Sequence, residues 1–300
     1  MGAKAVEVSV SQPASSESAD IQVHVRGTGP TKGAESVVTA LLGKTLGIRQ
    51  DLSGFYAIAR NDPRLGSLAA RFFGLKPPRF PTVFEAVVNG IACQQLSLNV
   101  GITLLNRLSE ACALSFVDGR GDSRYAFPRP QDLLKLRITD FRKMGFSTRK
   151  AEFLLGLADA VSAGRIDVER LAAVDRKTAM ESLVNIRGIG RWTAEYVLLR
   201  GVGDLSAFPG DDVGGRNKLG RWLGIGGPLS YDAVQKVTSK WRPFPGLIYF
   251  HLLLDELARQ GYIEEKISSP HPFTVLASPP ETETHAAPPD SRGRSGEAAK

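Results

Sequence analysis

The sequence predicts an all-α core preceded by a short α+β segment. From about residue 51 to residue 262, apolar side chains recur mostly at helical spacing. Pro/Gly clusters interrupt that pattern at 76–81 (KPPRFP), 127–130 (FPRP), 208–212 (FPGDD) and 225–228 (IGGP). They divide the stretch into about ten helices. Strand-like alternation is confined to IQVHVRG, where Ile21, Val23 and Val25 alternate with polar neighbours.

Taken in order, residues 1–20 are rich in Ser, Ala and Glu and are expected to be disordered. Residues 21–50 read as a strand followed by a helix from about Gly33 to Leu46. Residues 51–262 carry the helical domain, and 263–300, Pro- and charge-rich without large apolar residues, read as a mostly disordered tail. Three hundred residues, 42% hydrophobic and 23% charged, suffice for a sizeable core and exclude a fibrous or wholly disordered chain. No apolar run approaches the roughly 18–20 residues of a spanning helix; Leu247–Leu254 is short and broken by His251. The first twenty residues lack an apolar signal core, and Val6 replaces the Ser or Thr of a myristoylation motif. A monomeric cytoplasmic protein without membrane contact is expected.

The net charge of +7 favours a polyanionic partner. Cys93 and Cys112, nineteen residues apart and the only cysteines, exclude a disulfide framework and a four-cysteine cluster, and leave no zinc spacing. A basic run at 129–150 (Arg129, Lys135, Arg137, Arg142, Lys143, Arg149, Lys150) is either a solvated helical face or a DNA-facing one.

The chemistry concentrates in Leu183–Leu223. One helix ends near Leu183, the chain turns at Arg187-Gly188-Ile189-Gly190, and another helix starts at Arg191. The amides of Gly188, Gly190 and the next helical turn, with Arg187 and Arg191, suit a phosphate. A plain αα-hairpin with a glycine cap satisfies the same spacing. Twenty residues after Trp192, however, Asp211-Asp212 follows a Phe-Pro-Gly loop at the start of the next helical pattern. Asp212 suits a helix N-cap. An anion beside a phosphate grip also makes sense if it faces developing positive charge.

GIGRWTAEYVLLRG followed by FPGDD resembles the helix–hairpin–helix (HhH-GPD) DNA glycosylases, most closely the 3-methyladenine DNA glycosylase II branch. DLSGFYAIARNDPRL (51–65), PPRFPTVFEAVVNGIACQQLS (77–97) and MGFSTRKAEFLLGLADAV (144–161) extend the resemblance in the expected order across about 50–262. It implies two helical subdomains with the active-site cleft between them, a hairpin at 183–200, and only a remnant of that branch's β-rich amino-terminal domain. Asp212 then falls on the catalytic aspartate. Trp192, Tyr196, Gln94 and Phe244 fall on the base pocket, Phe244 being preferred to Trp241 for stacking. Gln95 falls on the residue that wedges into the duplex, while Arg187, Gly188, Gly190, Arg191 and Thr193 fall on the DNA grip. The carbonyls of Val184, Ile186 and Ile189 are candidates for a monovalent cation; no other cofactor is expected.

The implied activity is hydrolytic excision of alkylated purines from double-stranded DNA containing damaged bases. The nucleotide is flipped out, and a cationic base stacks on aromatic rings. Being a good leaving group, it needs one carboxylate rather than two. Bifunctional relatives carry a lysine two residues after the second hairpin glycine; Trp192 stands there, which implies a monofunctional enzyme. Two alternatives stay open: a non-catalytic hairpin DNA-binding protein, and a glycosylase of the same fold acting on oxidised or deaminated bases.

Overall fold

Thirteen α-helices dominate the described residues, and local chemistry sets many of their starts. The computed structural model describes residues 6–12, 20–27, 33–112, 114–118 and 120–263. The chain runs β1 (Val6–Ser11), β2 (Gln22–Gly27), α1 (Ala34–Thr45), α2 (Ser53–Arg60), α3 (Pro63–Arg71), α4 (Val83–Cys93) and α5 (Leu98–Cys112). Then follow β3 (Ser115–Val117), β4 (Ser123–Tyr125), α6 (Pro130–Leu133), α7 (Ile138–Met144), α8 (Thr148–Ser162) and α9 (Arg176–Val184). The last helices are α10 (Arg191–Val197), α11 (Val213–Leu223), α12 (Tyr231–Thr238) and α13 (Pro245–Arg259). Asp62 caps α3 by accepting from the Arg64 and Leu65 amides, with Pro63 at the first helical position. Thr82, Ser147, Asp175 and Ser230 cap α4, α8, α9 and α12 in the same way.

The apolar stripes explain the packing. α4 buries Val83, Phe84, Ala86, Val87, Val88, Ile91 and Ala92, and packs against α5, α8 and α10. α10 approaches closely because Gly90 has no side chain: a Cβ there would lie 2.8 Å from the Thr193 methyl. The helices fall into two packing groups, α4–α10 in one and α2, α3, α11 and α13 in the other, as the sequence implies. Asp212 sits where α11 begins, after the loop that leads out of the first group.

Two expectations are corrected. Disorder does not extend across all of 1–20: Val6–Ser11 pairs antiparallel with Gln22–Gly27, Val8 opposite Val25 and Val10 opposite Val23. The alternating VEVSV pattern is obscured by its Ser/Glu-rich surroundings, although cross-strand valine pairs stabilise such a hairpin. The helical domain also carries a small hairpin, β3 with β4, closed by the Asp118 carboxylate accepting from the Arg120 and Asp122 amides. Apart from Ile263, the tail expected over 263–300 lies outside the described residues, as do residues 1–5 and 13–19.

Candidate functional site

The turn between α9 and α10 depends on one glycine. Gly188 has φ +95, and a Cβ there would fall 2.3 Å from the Phe153 ring. Side chains avoid both conditions, so only glycine fits. Gly190, by contrast, has φ −93 and caps α10, and a Cβ at that position would meet no atom within 4 Å. The expectation that both glycines make the turn is therefore corrected: Gly188 makes it, and Gly190 keeps the surface in front of α10 clear.

Asp212 occupies the N-cap of α11, where Oδ1 accepts from the Gly214 amide at 2.9 Å. Its Oδ2 accepts from the hydroxyl of Tyr249 on α13, a contact that sequence reasoning missed. Tyr249 is buried, and its phenol is held well above the ordinary tyrosine range, first by burial and then by the Asp212 charge. A cavity of about 680 Å³ opens in front of the carboxylate, lined by Gln95, Leu96, Gly190, Trp192, Asp212 and Val213 among others. That volume suits a small organic ligand. Trp192 stacks on Tyr196 at 5.5 Å with 21° between planes, and the Tyr196 hydroxyl donates to Asn89 at 2.8 Å. Burial pushes the Tyr196 phenol up to about 12.

The loop carrying Asp212 is fastened to α10 through buried Glu195. Its carboxylate accepts from the Gly210 amide at 3.0 Å and the Tyr231 hydroxyl at 2.8 Å. Burial raises the Glu195 pKa, and burial likewise pushes Tyr231 up to about 12. Arg191, expected on the DNA grip, makes a bidentate pair with Asp211 at 2.6 and 3.0 Å and lies 3.7 Å over the Tyr231 ring, while about half of its side chain stays open at the cavity (49% exposed).

Three more of the expected site residues also make contacts within the protein. The Gln94 amide donates to the Gly188 carbonyl and the Thr193 hydroxyl, both at 2.9 Å, joining α4 to the hairpin, and Gln94 also lines the cavity in front of Asp212. Thr193 is buried between those elements, at the floor of the same cavity. Phe244 packs edge-on to Phe55 at 5.9 Å and against Gly54, away from the cavity lining. Trp241, the other aromatic considered there, is buried and donates to Asp62 at 2.8 Å. Gln95 lies at the tip of the α4–α5 turn, exposed, with φ +56. A non-glycine residue held there is uncommon and costs about 1–3 kcal/mol.

Lys150 explains how that turn is held. Its ammonium donates to the Ala92 and Gln94 carbonyls, both at 2.7 Å, and burial lowers its pKa. The basic run at 129–150 is thus no single DNA-facing surface: Arg129 and Lys135 bond Asp132, and Arg137 bonds Asp140. Arg149 and Arg187 instead flank the Phe153 ring, each 5.6 Å from its centroid, and line a polar hollow with Gly188–Gly190. Arg187 keeps most of its surface open beyond a 3.4 Å contact with Glu152. A separate hollow of about 310 Å³ lies beside α9. Its carboxylate, Asp167, caps the adjacent 3-10 turn by accepting from the Glu169 and Arg170 amides.

Among the described residues no helix is long and apolar enough to cross a membrane, and no cluster of His, Cys, Asp or Glu could hold a metal ion. The Ile186 carbonyl already accepts the Ile189 amide at 3.0 Å.

The chain is 31% identical to a DNA-3-methyladenine glycosylase of Bacillus subtilis over 202 residues, 67% of this chain and 66% of that protein. It is 28% identical to DNA-3-methyladenine glycosylase 2 of Escherichia coli over 192 residues, 64% of each. It therefore spans 66% and 64% of the lengths of these two curated relatives. A 3-methyladenine DNA glycosylase structure from Archaeoglobus fulgidus superposes with a TM-score of 0.72 at 28% identity, covering 86% of this chain and 84% of that one. The family model of the HhH-GPD base excision DNA repair proteins matches residues 88–243. The chain belongs to the HhH-GPD superfamily.

Proposed function

We propose that the protein is a monofunctional DNA glycosylase that flips an alkylated purine out of duplex DNA and hydrolyses its N-glycosidic bond. The observation that carries this reading is the convergence of Asp212, Trp192 and Gln95 on one cavity of about 680 Å³. A carboxylate facing a stacked aromatic pair suits an oxocarbenium-like sugar and a cationic base, whereas gripping DNA backbone alone requires neither. The names of the Bacillus, Escherichia and Archaeoglobus relatives support 3-methyladenine as the type of lesion.

Each residue then has a role. Asp212 stabilises the developing positive charge. Trp192, backed by Tyr196, offers the stacking face. Gln95 enters the duplex where the nucleotide leaves. Arg187, Arg149 and the hairpin amides hold phosphates without reading sequence. The neutral carbonyls of Val184, Ile186 and Ile189 are the candidates for a monovalent cation by donor type, the Ile186 oxygen keeping a second lone pair beside the one that accepts the Ile189 amide. Such an ion would brace the turn and take no part in chemistry.

Incubation with methylated duplex DNA, followed by chromatography of the released bases, tests the reading. Release of free 3-methyladenine from a strand left intact until alkali treatment is expected, with no covalent adduct trapped by borohydride. No released base would reject glycosylase activity. A robust adduct would reject the monofunctional assignment.

A further inference from the structure

The Asp212 carboxylate is held from both oxygens. Oδ1 accepts the Gly214 amide at 2.9 Å, and Oδ2 accepts the Tyr249 hydroxyl. The phenol is aimed by its surroundings. Phe208 meets the Tyr249 ring edge-on at 5.3 Å and 83°, and Phe250 does so at 6.3 Å and 72°. Gly215 makes room for it: a Cβ there would lie 2.6 Å from the ring. One of the two glycines that open α11 therefore exists to admit a ring that reaches the carboxylate.

We propose that Tyr249 is a positioning residue for excision, holding Asp212 as an oriented anion so that Asp212 acts by electrostatics and not by taking a proton from water. This rests on the glycosylase reading above. In the step implied, the bond from C1′ to the base breaks with its electron pair leaving on the cationic base. Water oxygen then bonds C1′, and the proton passes to solvent. A hydroxyl donating to the carboxylate stabilises its charged form and opposes proton uptake. It therefore favours a fixed anion and hinders a general base. The other ionisable groups near the pair are Tyr196 and Arg200, which act on Tyr249, and Lys218, whose ammonium lies 3.5 Å from the Gly214 carbonyl. Asp211 is neutralised by Arg191.

The test is Tyr249→Phe, measured by single-turnover excision from methylated duplex across pH, with lesion-duplex affinity titrated in parallel. The maximal rate should fall about tenfold or more at unchanged affinity, the signature of a transition-state interaction. A plateau rate equal to or above wild type would mean that Asp212 works as a base, and would overturn the proposal. A lower rate accompanied by an equal loss of lesion-duplex affinity would reduce Tyr249 to a packing role and overturn it too. Should the phenylalanine variant fail to fold, 3-fluorotyrosine at position 249 carries the test. Its hydroxyl still donates to Asp212, so the rate should be kept, and a tenfold or greater loss at unchanged affinity would reject the proposal. Absence of base release by the wild type would instead reject the glycosylase reading itself.

Discussion

Replacing Lys150 by methionine keeps the aliphatic stem and removes only the ammonium that holds the α4–α5 turn. Two bonds of 2.7 Å, to the Ala92 and Gln94 carbonyls, are lost. Charge-assisted bonds contribute about 1.5–3 kcal/mol each, but relief of lysine desolvation offsets part of that, leaving a net loss of about 2 kcal/mol. For a domain of this size that corresponds to about 5 °C in Tm. Freed from its anchor, Gln95 is expected to leave its left-handed conformation (φ +56), so the wedge would no longer be preset. If about 1.4 kcal/mol of this reaches the transition state, excision slows about tenfold. The assay is single-turnover excision combined with duplex affinity measured at several salt concentrations. A lysine that contacts phosphate would lower the slope of log affinity against log salt by about 0.9 when removed. An internal anchor leaves the slope unchanged. Wild-type excision and melting together with a slope lowered by about one would refute this account of Lys150.

Two further outcomes are expected. Gly188→Ala should cost about 2 kcal/mol or more, because it combines a positive φ with a clash against Phe153, and should weaken binding to damaged and undamaged duplex alike. Gly190→Ala should stay within about 1 kcal/mol when both variants are unfolded in urea, and equal losses in the two would contradict the turn geometry. His251 supplies a pH effect on stability. It is fully buried, its Nδ1 donates to the Leu247 carbonyl at 2.8 Å, its Nε2 has no hydrogen-bond partner among the described residues, and burial lowers its pKa from 6.5 to about 4. The folded state therefore keeps the ring neutral, so this contribution is complete above about pH 6.5 and is lost as pH falls toward about 4. Linkage gives about 2 kcal/mol between pH 7 and pH 5, so urea midpoints should fall less over that interval in His251→Leu. An equal fall in both proteins would contradict the neutral-ring account.

The hairpin and the carboxylate were legible because local chemistry marks them. A glycine that must turn, an acid at a helix start after Phe-Pro-Gly, and an aromatic just past the turn lie within thirty residues of one another. The division of labour around them was not legible. Gln94 and Gln95 are adjacent, yet a tertiary contact with Gly188 and Thr193 binds one to the hairpin while backbone geometry exposes the other. The pairing of Arg191 with Asp211, twenty residues on, is brought about only by the fold. Phe244 and Trp241 belong to an aromatic segment whose facing depends on how α13 lies against α2 and α3. Tyr249 carries no local pattern at all: it sits in an apolar helix, and only the glycine pair at 214–215 hints that something bulky approaches. The β1 strand was hidden by composition although its alternation was present.

The central claim is that Asp212 drives base excision and does not serve mainly to hold DNA. The most direct measurement is single-turnover release of 3-methyladenine by wild type and Asp212→Asn, with affinity for the same lesion duplex determined in parallel. Asparagine keeps the shape of the N-cap but removes the charge facing the sugar. The account predicts loss of excision by at least about a hundredfold, with affinity unchanged or raised because an anion near phosphate is gone. Excision near the wild-type rate in Asp212→Asn, or a comparable loss confined to Asp211→Asn, would contradict it.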